Sequence, residues 1–269
     1  MLQSRTHWKI RQANDEKVNY LINELNVTPL VAKLLVNRGI ETIDKAKSFL
    51  FNDGDLYDPF LLEDMHIAVE RINQAIRNEE KITVYGDYDA DGVTSTYVLL
   101  STLRSLGAHA DYYIPNRFTE GYGPNEEAFR FLKDQGTDLI ITVDNGIAAI
   151  HEAEVAKEIG LDLIITDHHE PGPELPEALA IIHPKRPGSI YPFHELAGVG
   201  VAFKLATALL GEIPEYLLPF VAIGTVGDLV SLQDENRYIV KKGLELLPTC
   251  HNLGLKALLN VAGVDINNV

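Results

Sequence analysis

From about residue 65 onward, short runs of consecutive apolar residues alternate with longer stretches whose apolar positions recur three and four apart. Runs at 81–85, 110–114, 138–143, 162–166 and 178–182 have the length and β-branched content of buried strands. The stretches between them, 67–77, 93–106, 124–135 and 147–159, have helical spacing, and the last three run into Gly107, Gly136 and Gly160. Strands alternating with helices of about a dozen residues predict right-handed crossovers. The expected fold is α/β, a parallel Rossmann-like sheet with helices on both faces. Past Glu195 the pattern turns helical, with segments expected at 199–210, 214–230, 236–247 and 253–261. Ahead of the alternating region, 15–25, 28–37 and 42–51 read as three helices, with Pro29 suited to a first turn and Gly39 to a stop. The expected division is a small helical region, 1–52, then a larger domain, 53–269, joined through the turn-rich Asn52-Asp53-Gly54-Asp55 and Pro59.

Composition narrows the setting. With 46% hydrophobic residues in 269, the chain can bury a full core. No apolar run reaches the ~18 residues of a membrane span, and the first residues lack the apolar centre of a signal peptide. A soluble, cytoplasmic protein without a membrane partner is expected. A single cysteine, Cys250, excludes an internal disulfide and a thiolate-based zinc site. The net charge of −16, from 39 acidic and 23 basic residues, argues against broad nonspecific attachment to a nucleic-acid backbone.

The chemistry-bearing residues collect at strand ends. In open parallel sheets, ligands bind beyond the carboxyl ends of the strands. The first strand is followed by Asp87, Asp89 and Asp91, the third by Asp144-Asn145-Gly146, and the fourth by Asp167-His168-His169. Another acid, Asp228, follows Ile223-Gly224-Thr225-Val226-Gly227. Each group has a plain alternative. Asp-Asn-Gly suits a turn, a histidine pair suits a hydrogen-bonded loop, and three alternating acids suit a structural ion. Their agreement at one sheet edge points instead to a functional divalent-metal site, because carboxylates packed this closely repel without a cation. Carboxylates with one or two imidazoles and no thiolate favour manganese or magnesium. Asp144 could bridge two ions ~4 Å apart, an arrangement suited to in-line attack at phosphorus.

The motifs Asp87-Tyr88-Asp89-Ala90-Asp91-Gly92, Val143-Asp144-Asn145-Gly146, Asp167-His168-His169 and Gly227-Asp228 resemble those of the DHH phosphoesterases. The stretches 113–123 and 196–204, together with 29–39, resemble the single-strand-specific DNA exonucleases of that family. The resemblance implies metal-dependent hydrolysis of single-stranded DNA from a 5′ end, releasing mononucleotide 5′-phosphates in DNA repair and recombination, with other repair proteins as candidate partners. Carried over residue by residue, it assigns Asp91, Asp144, His168 and Asp228 to one Mn²⁺ or Mg²⁺ ion, with Asp144 bridging. Asp89 and Asp87 serve a second ion. Many relatives have a histidine where Tyr85 stands, so the second ion is expected to be held more weakly. His169 is expected to act as a phosphate contact or proton donor. Arg117, near Phe118 and Tyr122, is expected to grip a backbone phosphate while the rings stack on bases; pairing with Glu120 is its alternative. Lys185-Arg186 reads as a solvated loop, with the same cleft as its alternative. Whole members of this branch are longer and carry a Gly-Gly-His segment that is absent here, so the sequence is expected to be an N-terminal fragment. The rival readings are hydrolysis of pyrophosphate, short oligonucleotides or cyclic dinucleotides, and a non-catalytic scaffold that binds DNA or protein. A response-regulator receiver also sets paired acids at a strand end, but it gives His168 and His169 no role.

Overall fold

The computed structural model describes residues 9–51 and 56–265, and the chain separates into two compact units, one before residue 56 and one from Leu56 onward. The expected domain boundary and the Asn52–Asp55 turn lie outside the described residues.

The first unit is three helices, α1 (Asp15–Leu25), α2 (Pro29–Asn37) and α3 (Ile43–Phe51). Asn14 caps α1 by accepting from the amides of Glu16 and Lys17, and Thr28 caps α2 with Pro29 in its first turn. Their apolar stripes meet in a small core of Val18, Leu21, Ala32, Leu35, Val36, Ile40 and Ala46.

The second unit runs α4 (Met65–Arg77), β1 (Lys81–Tyr85), α5 (Ala90–Ser105), β2 (His109–Tyr113), α6 (Glu126–Asp134), β3 (Leu139–Val143), α7 (Ile150–Glu158), β4 (Asp162–Thr166) and β5 (Ala180–Ile182). Four helices follow: α8 (Gly198–Leu210), α9 (Leu218–Gly227), α10 (Asp234–Leu246) and α11 (Leu253–Val261). All four strand pairings are parallel, in the order β2-β1-β3-β4-β5. The expected α/β class and two-sided sheet are present. Ile82, Val84, Leu139, Ile141, Val143 and Ile164 point to one face, in the core that also holds residues of α4, α5 and α8. Tyr85, Ile140, Leu163 and Ile165 point to the other face with residues of α6 and α7, as the two-residue strand repeat requires.

Three helices depart from the periodicity by three residues or more at a boundary. α5 begins at Ala90 rather than Val93, because Asp89 is its cap and accepts from the Gly92 amide at 2.9 Å. Gly92 then sits in the first turn, where a Cβ would come within 2.7 Å of the Asp87 backbone. α7 begins at Ile150 rather than 147, because the Ile147 amide donates to the Asp167 side chain at 2.9 Å and leaves the helical path. The expected helix 214–230 is a short 3₁₀ turn, Glu215–Leu217, then α9, which stops with Asp228 as its C-cap. Leu229 beyond it has φ +61°.

Candidate metal centre

The sheet order changes direction between β1 and β3, and at such a switch point the loops leaving two neighbouring strands part to open a crevice. Asp87 leaves β1 into this crevice, and Asp144 leaves β3 into it. Asp87, Asp91, Asp144 and His168 are all at least 94% buried by surface area, with relative exposures of 2%, 1%, 2% and 6%. Asp89 is exposed and Asp228 is partly buried.

Two ligand sets converge. One atom each from Asp87, Asp89 and Asp144 lie within 4.8 Å of one another, and the same holds for Asp91, His168 and Asp228. His168 links them: its Nε2 is 3.1 Å from Asp144 Oδ1, 3.7 Å from Asp228 Oδ2 and 3.8 Å from Asp91 Oδ2. Asp144, which the resemblance grouped with Asp91, His168 and Asp228, clusters here with Asp87 and Asp89, and its 3.1 Å approach to His168 joins the two sets. His169 also reaches Asp144 and His168 within 4.8 Å, but its Nδ1 is 2.7 Å from Asp167 Oδ1.

The local backbone explains the convergence. Asp144 adopts φ +61°, a left-handed conformation that short polar side chains tolerate better than most, and this turns its carboxylate back over the sheet edge. The buried Asn145 side chain secures the turn by donating to the Val143 carbonyl at 3.0 Å. Asp91 accepts from the Gly198 and Val199 amides at 2.7 and 2.8 Å, which joins the start of α5 to the start of α8. Gly198 is required here, since a Cβ would lie 2.3 Å from Asp144 Oδ1.

The electrostatics are those of a site built for cations. Burial, then the Asp144 charge, pushes the Asp91 carboxyl well above the carboxylate range despite its two amide partners. Burial, then Asp167, pushes Asp144 up to about 9. Asp87 and Asp228 are also raised, chiefly by burial. Asp87 Oδ1, Asp144 Oδ1 and His168 Nε2 are buried without a hydrogen-bond partner. Buried polar atoms are rarely left this way unless a ligand takes the missing place. Oxygen donors with one imidazole fit a hard divalent cation, so these residues suit Mn²⁺ or Mg²⁺.

Sequence reasoning left Asp167, Tyr88 and the amides of Gly198 and Val199 without a role. Asp167 is buried and accepts from the amides of Ile147, His168 and His169 and from the His169 ring. Burial opposes its charge, but these donors hold its pKa below the usual carboxylate value. The bond to Asp167 in turn pushes His169 up to about 9, so its ring is protonated at neutral pH. Tyr88 and Tyr122 form an edge-to-face pair, the Tyr122 ring meets the His169 ring edge-on, and the Arg117 guanidinium lies 5.2 Å from the Tyr88 ring centre. The amides of Gly198 and Val199 could have been suspected from the Gly-Val-Gly that opens α8. The ring contacts and the role of Asp167 had no signal along the chain.

Two expectations change. Glu120 is taken by the Tyr113 hydroxyl and the Asn116 amide, so the alternative pairing for Arg117 is not formed. Arg186 is not solvated: it pairs with Asp64 and with Glu63. Tyr85 is fully buried on the α6 side of the sheet, with its hydroxyl donating to the Gly123 carbonyl.

Residues 81–225, more than half of the chain, match the model of the DHH family, N-terminal domain. The chain belongs to the DHH family. It is 61% identical over 267 residues to the single-stranded-DNA-specific exonuclease RecJ of Bacillus subtilis, covering 99% of this chain and 34% of that protein. It is 40% identical to the RecJ of Escherichia coli, covering 88% of this chain and 44% of that one. Among solved structures, RecJ of Thermus thermophilus in complex with Mn²⁺ superposes with a TM-score of 0.81 at 30% identity, over 98% of this chain and 38% of that chain. An exonuclease RecJ bound to manganese gives 0.70 at 37% identity, over 76% of this chain and 53% of that chain. The DHH-family chain thus spans about a third of the length of one of these curated relatives and less than half of the other.

Proposed function

We propose that this chain is the metal-bearing part of a single-stranded-DNA-specific exonuclease that works from the 5′ end in DNA repair and recombination, in the cytoplasm, alone or beside other repair proteins. Residues from Leu56 onward form its catalytic domain, and the preceding helices are an accessory region. The observation that carries this reading is the meeting of two carboxylate sets at Asp144, with three buried ligand atoms left unpartnered. The likeness to exonucleases named RecJ supports DNA as the substrate.

In this reading Asp91, Asp144, His168 and Asp228 would hold one Mn²⁺ or Mg²⁺ ion, and Asp87, Asp89 and Asp144 would hold a second. When bound, such ions neutralise charge on the phosphoryl oxygens and acidify a water. The side chains do the rest. In hydrolysis a water oxygen bonds to phosphorus, and the bond from phosphorus to the 3′ oxygen of the terminal nucleotide breaks. In this reading His169, protonated and steadied by Asp167, gives its proton to that departing oxygen, a role worth about 10²–10⁴ in rate. Asp89 has a double duty, since its Oδ1 caps α5 and its other oxygen is left for the second ion. That ion is therefore the weaker of the two. Arg117 takes a backbone phosphate, with Tyr88 and Tyr122 presenting ring faces to bases.

The test compares a 5′-phosphorylated single strand, the same strand in a duplex, a dinucleotide and inorganic pyrophosphate, each with Mn²⁺. Release of mononucleotides from the free single strand, in preference to the others, is expected. Consumption of pyrophosphate without nucleotide release would replace this reading with another DHH chemistry, and no Mn²⁺-dependent hydrolysis by the longer protein would favour a scaffold. Within the reading, Arg117→Ala should raise KM for the single strand about tenfold while leaving Mn²⁺ affinity unchanged. The reverse pattern would remove Arg117 from the substrate site.

A further inference from the structure

The strand ends of β1, β3 and β4 are accounted for by the metal centre, but β5 also ends at this edge. Its last residue, Ile182, is in register with Thr166, the last residue of β4. The turn His183-Pro184-Lys185-Arg186 therefore leaves the sheet beside Asp167-His168-His169. His183 has no exposed surface. Its Nε2 is 2.8 Å from the His169 carbonyl oxygen, and its Nδ1 is 3.0 Å from the Lys185 amide. A carbonyl only accepts and an amide only donates, so Nε2 carries the hydrogen and Nδ1 the lone pair. The ring is the neutral tautomer, and burial keeps it so by lowering its pKa to about 4.

His183 thus ties the backbone of Lys185 to the backbone of the histidine pair. The two basic residues of the turn then diverge. Arg186 is held by Asp64 and Glu63, while Lys185, partly buried, makes no ion pair among the described residues. The Lys185 backbone is tied through His183 to that of His169, while the Arg117 guanidinium lies against the ring of Tyr88, between Asp87 and Asp89 in the chain. Two cations therefore come from different strand ends, Lys185 from the turn beside the histidine pair and Arg117 from the loop against Tyr88. A polyanion threading past the metals would meet both.

We propose that Lys185, positioned by His183 beside the histidine pair, is a second phosphate contact in addition to Arg117. Its ligand is a backbone phosphate next to the scissile one. The proposal rests on the phosphodiesterase reading above, and it needs no residue of the metal sets to change charge.

The experiment measures binding to the Mn²⁺-loaded chain of two probes, a phosphorothioate single strand that resists cleavage and inorganic pyrophosphate, over a range of salt. Lys185→Ala should weaken the single strand about tenfold and reduce the salt slope by about 0.7, the value for one phosphate contact on a single strand. Mn²⁺ affinity should stay within about twofold, and Lys185→Arg should retain the slope. His183→Ala should reproduce the loss, and the double variant should lose less than the sum, because the two residues act as a unit. An unchanged slope and affinity in Lys185→Ala, or equal weakening with Mn²⁺ binding lost, overturns the proposal. If the unaltered chain binds pyrophosphate but not the single strand, the DNA reading fails. In that case the pyrophosphate affinity of Lys185→Ala decides the proposal separately, with weakening in its favour and no change against it.

Discussion

Two buried clusters of charge lie within the unit that begins at Leu56, and they are built on opposite principles. Lys204 on α8 and Glu235 on α10 are each 1% exposed. The ammonium meets the Glu235 carboxylate and donates to the Tyr57 carbonyl at 2.7 Å. The carboxylate also accepts from the Tyr57 amide at 2.8 Å and from the Tyr191 hydroxyl at 2.6 Å. Charge and hydrogen bonds close within the protein, and the cluster ties four parts of the chain together. At the strand ends, by contrast, Asp87, Asp91 and Asp144 are as deeply buried, yet carboxylate faces carboxylate and three ligand atoms are unpartnered. The same cost of desolvation is offset from inside in one cluster and left for a cation in the other. Buried charge by itself does not mark a functional site; buried charge that the fold leaves uncompensated does.

Removing one charge from each cluster should therefore move stability in opposite directions. Lys204→Met leaves Glu235 buried without its cation and should destabilise the chain by about 3–5 kcal/mol, read by denaturant unfolding. A loss below about 1 kcal/mol would mean that the cluster is not closed as described. Acid should expose a second difference. His183 is neutral in the fold with a pKa of about 4 against an ordinary 6.5, so the unfolded chain binds more protons between those values. Stability is fully present above that window and is lost as pH falls through it, by on the order of 3 kcal/mol. His183→Asn should flatten that part of the pH curve; an unaltered curve would show that another group causes it.

Mn²⁺ should act on one cluster alone. At a hundred times its dissociation constant it should add about 2.7 kcal/mol to unfolding stability, in the Arg117→Ala variant as in the unaltered chain, and lose most of that effect in Asp144→Asn. An equal gain in Asp144→Asn would remove this residue from the ligands. The smallest effect is the most diagnostic. Without metal, Asp144→Asn removes the cost of burying an acid and keeps a residue type that tolerates φ +61°, so it should raise stability by about 1 kcal/mol. A loss instead would mean that Asp144 is already compensated within the protein.

Much of this was legible along the chain. Lys81–Tyr85, Asp162–Thr166 and Leu253–Val261 fall where the pattern placed them, because each is a strong local signal bounded by polar or turn-forming residues. The strand-end residues Asp87, Asp144 and His168 were found because a parallel sheet sends its carboxyl ends to one edge. Errors arose where a side chain from elsewhere took over a backbone group. Asp167 takes the Ile147 amide and delays α7, although no residue near Ile147 announces it. Arg186 looked solvated because its acceptors, Asp64 and Glu63, lie more than a hundred positions earlier.

By itself the sequence determined the alternation of strands and helices, and therefore the class of fold and the edge at which the acids gather. Those properties follow from residue periodicity and chain direction, which are local. Only the tertiary structure decided which of the gathered groups are spent and which remain free. Asp91 is pinned by the start of α8, Asp167 is closed by backbone amides and the His169 ring, and Asp144 is left without a hydrogen-bond partner at Oδ1. Compensation of a buried charge depends on what reaches it through space, and spacing along the chain does not carry that information.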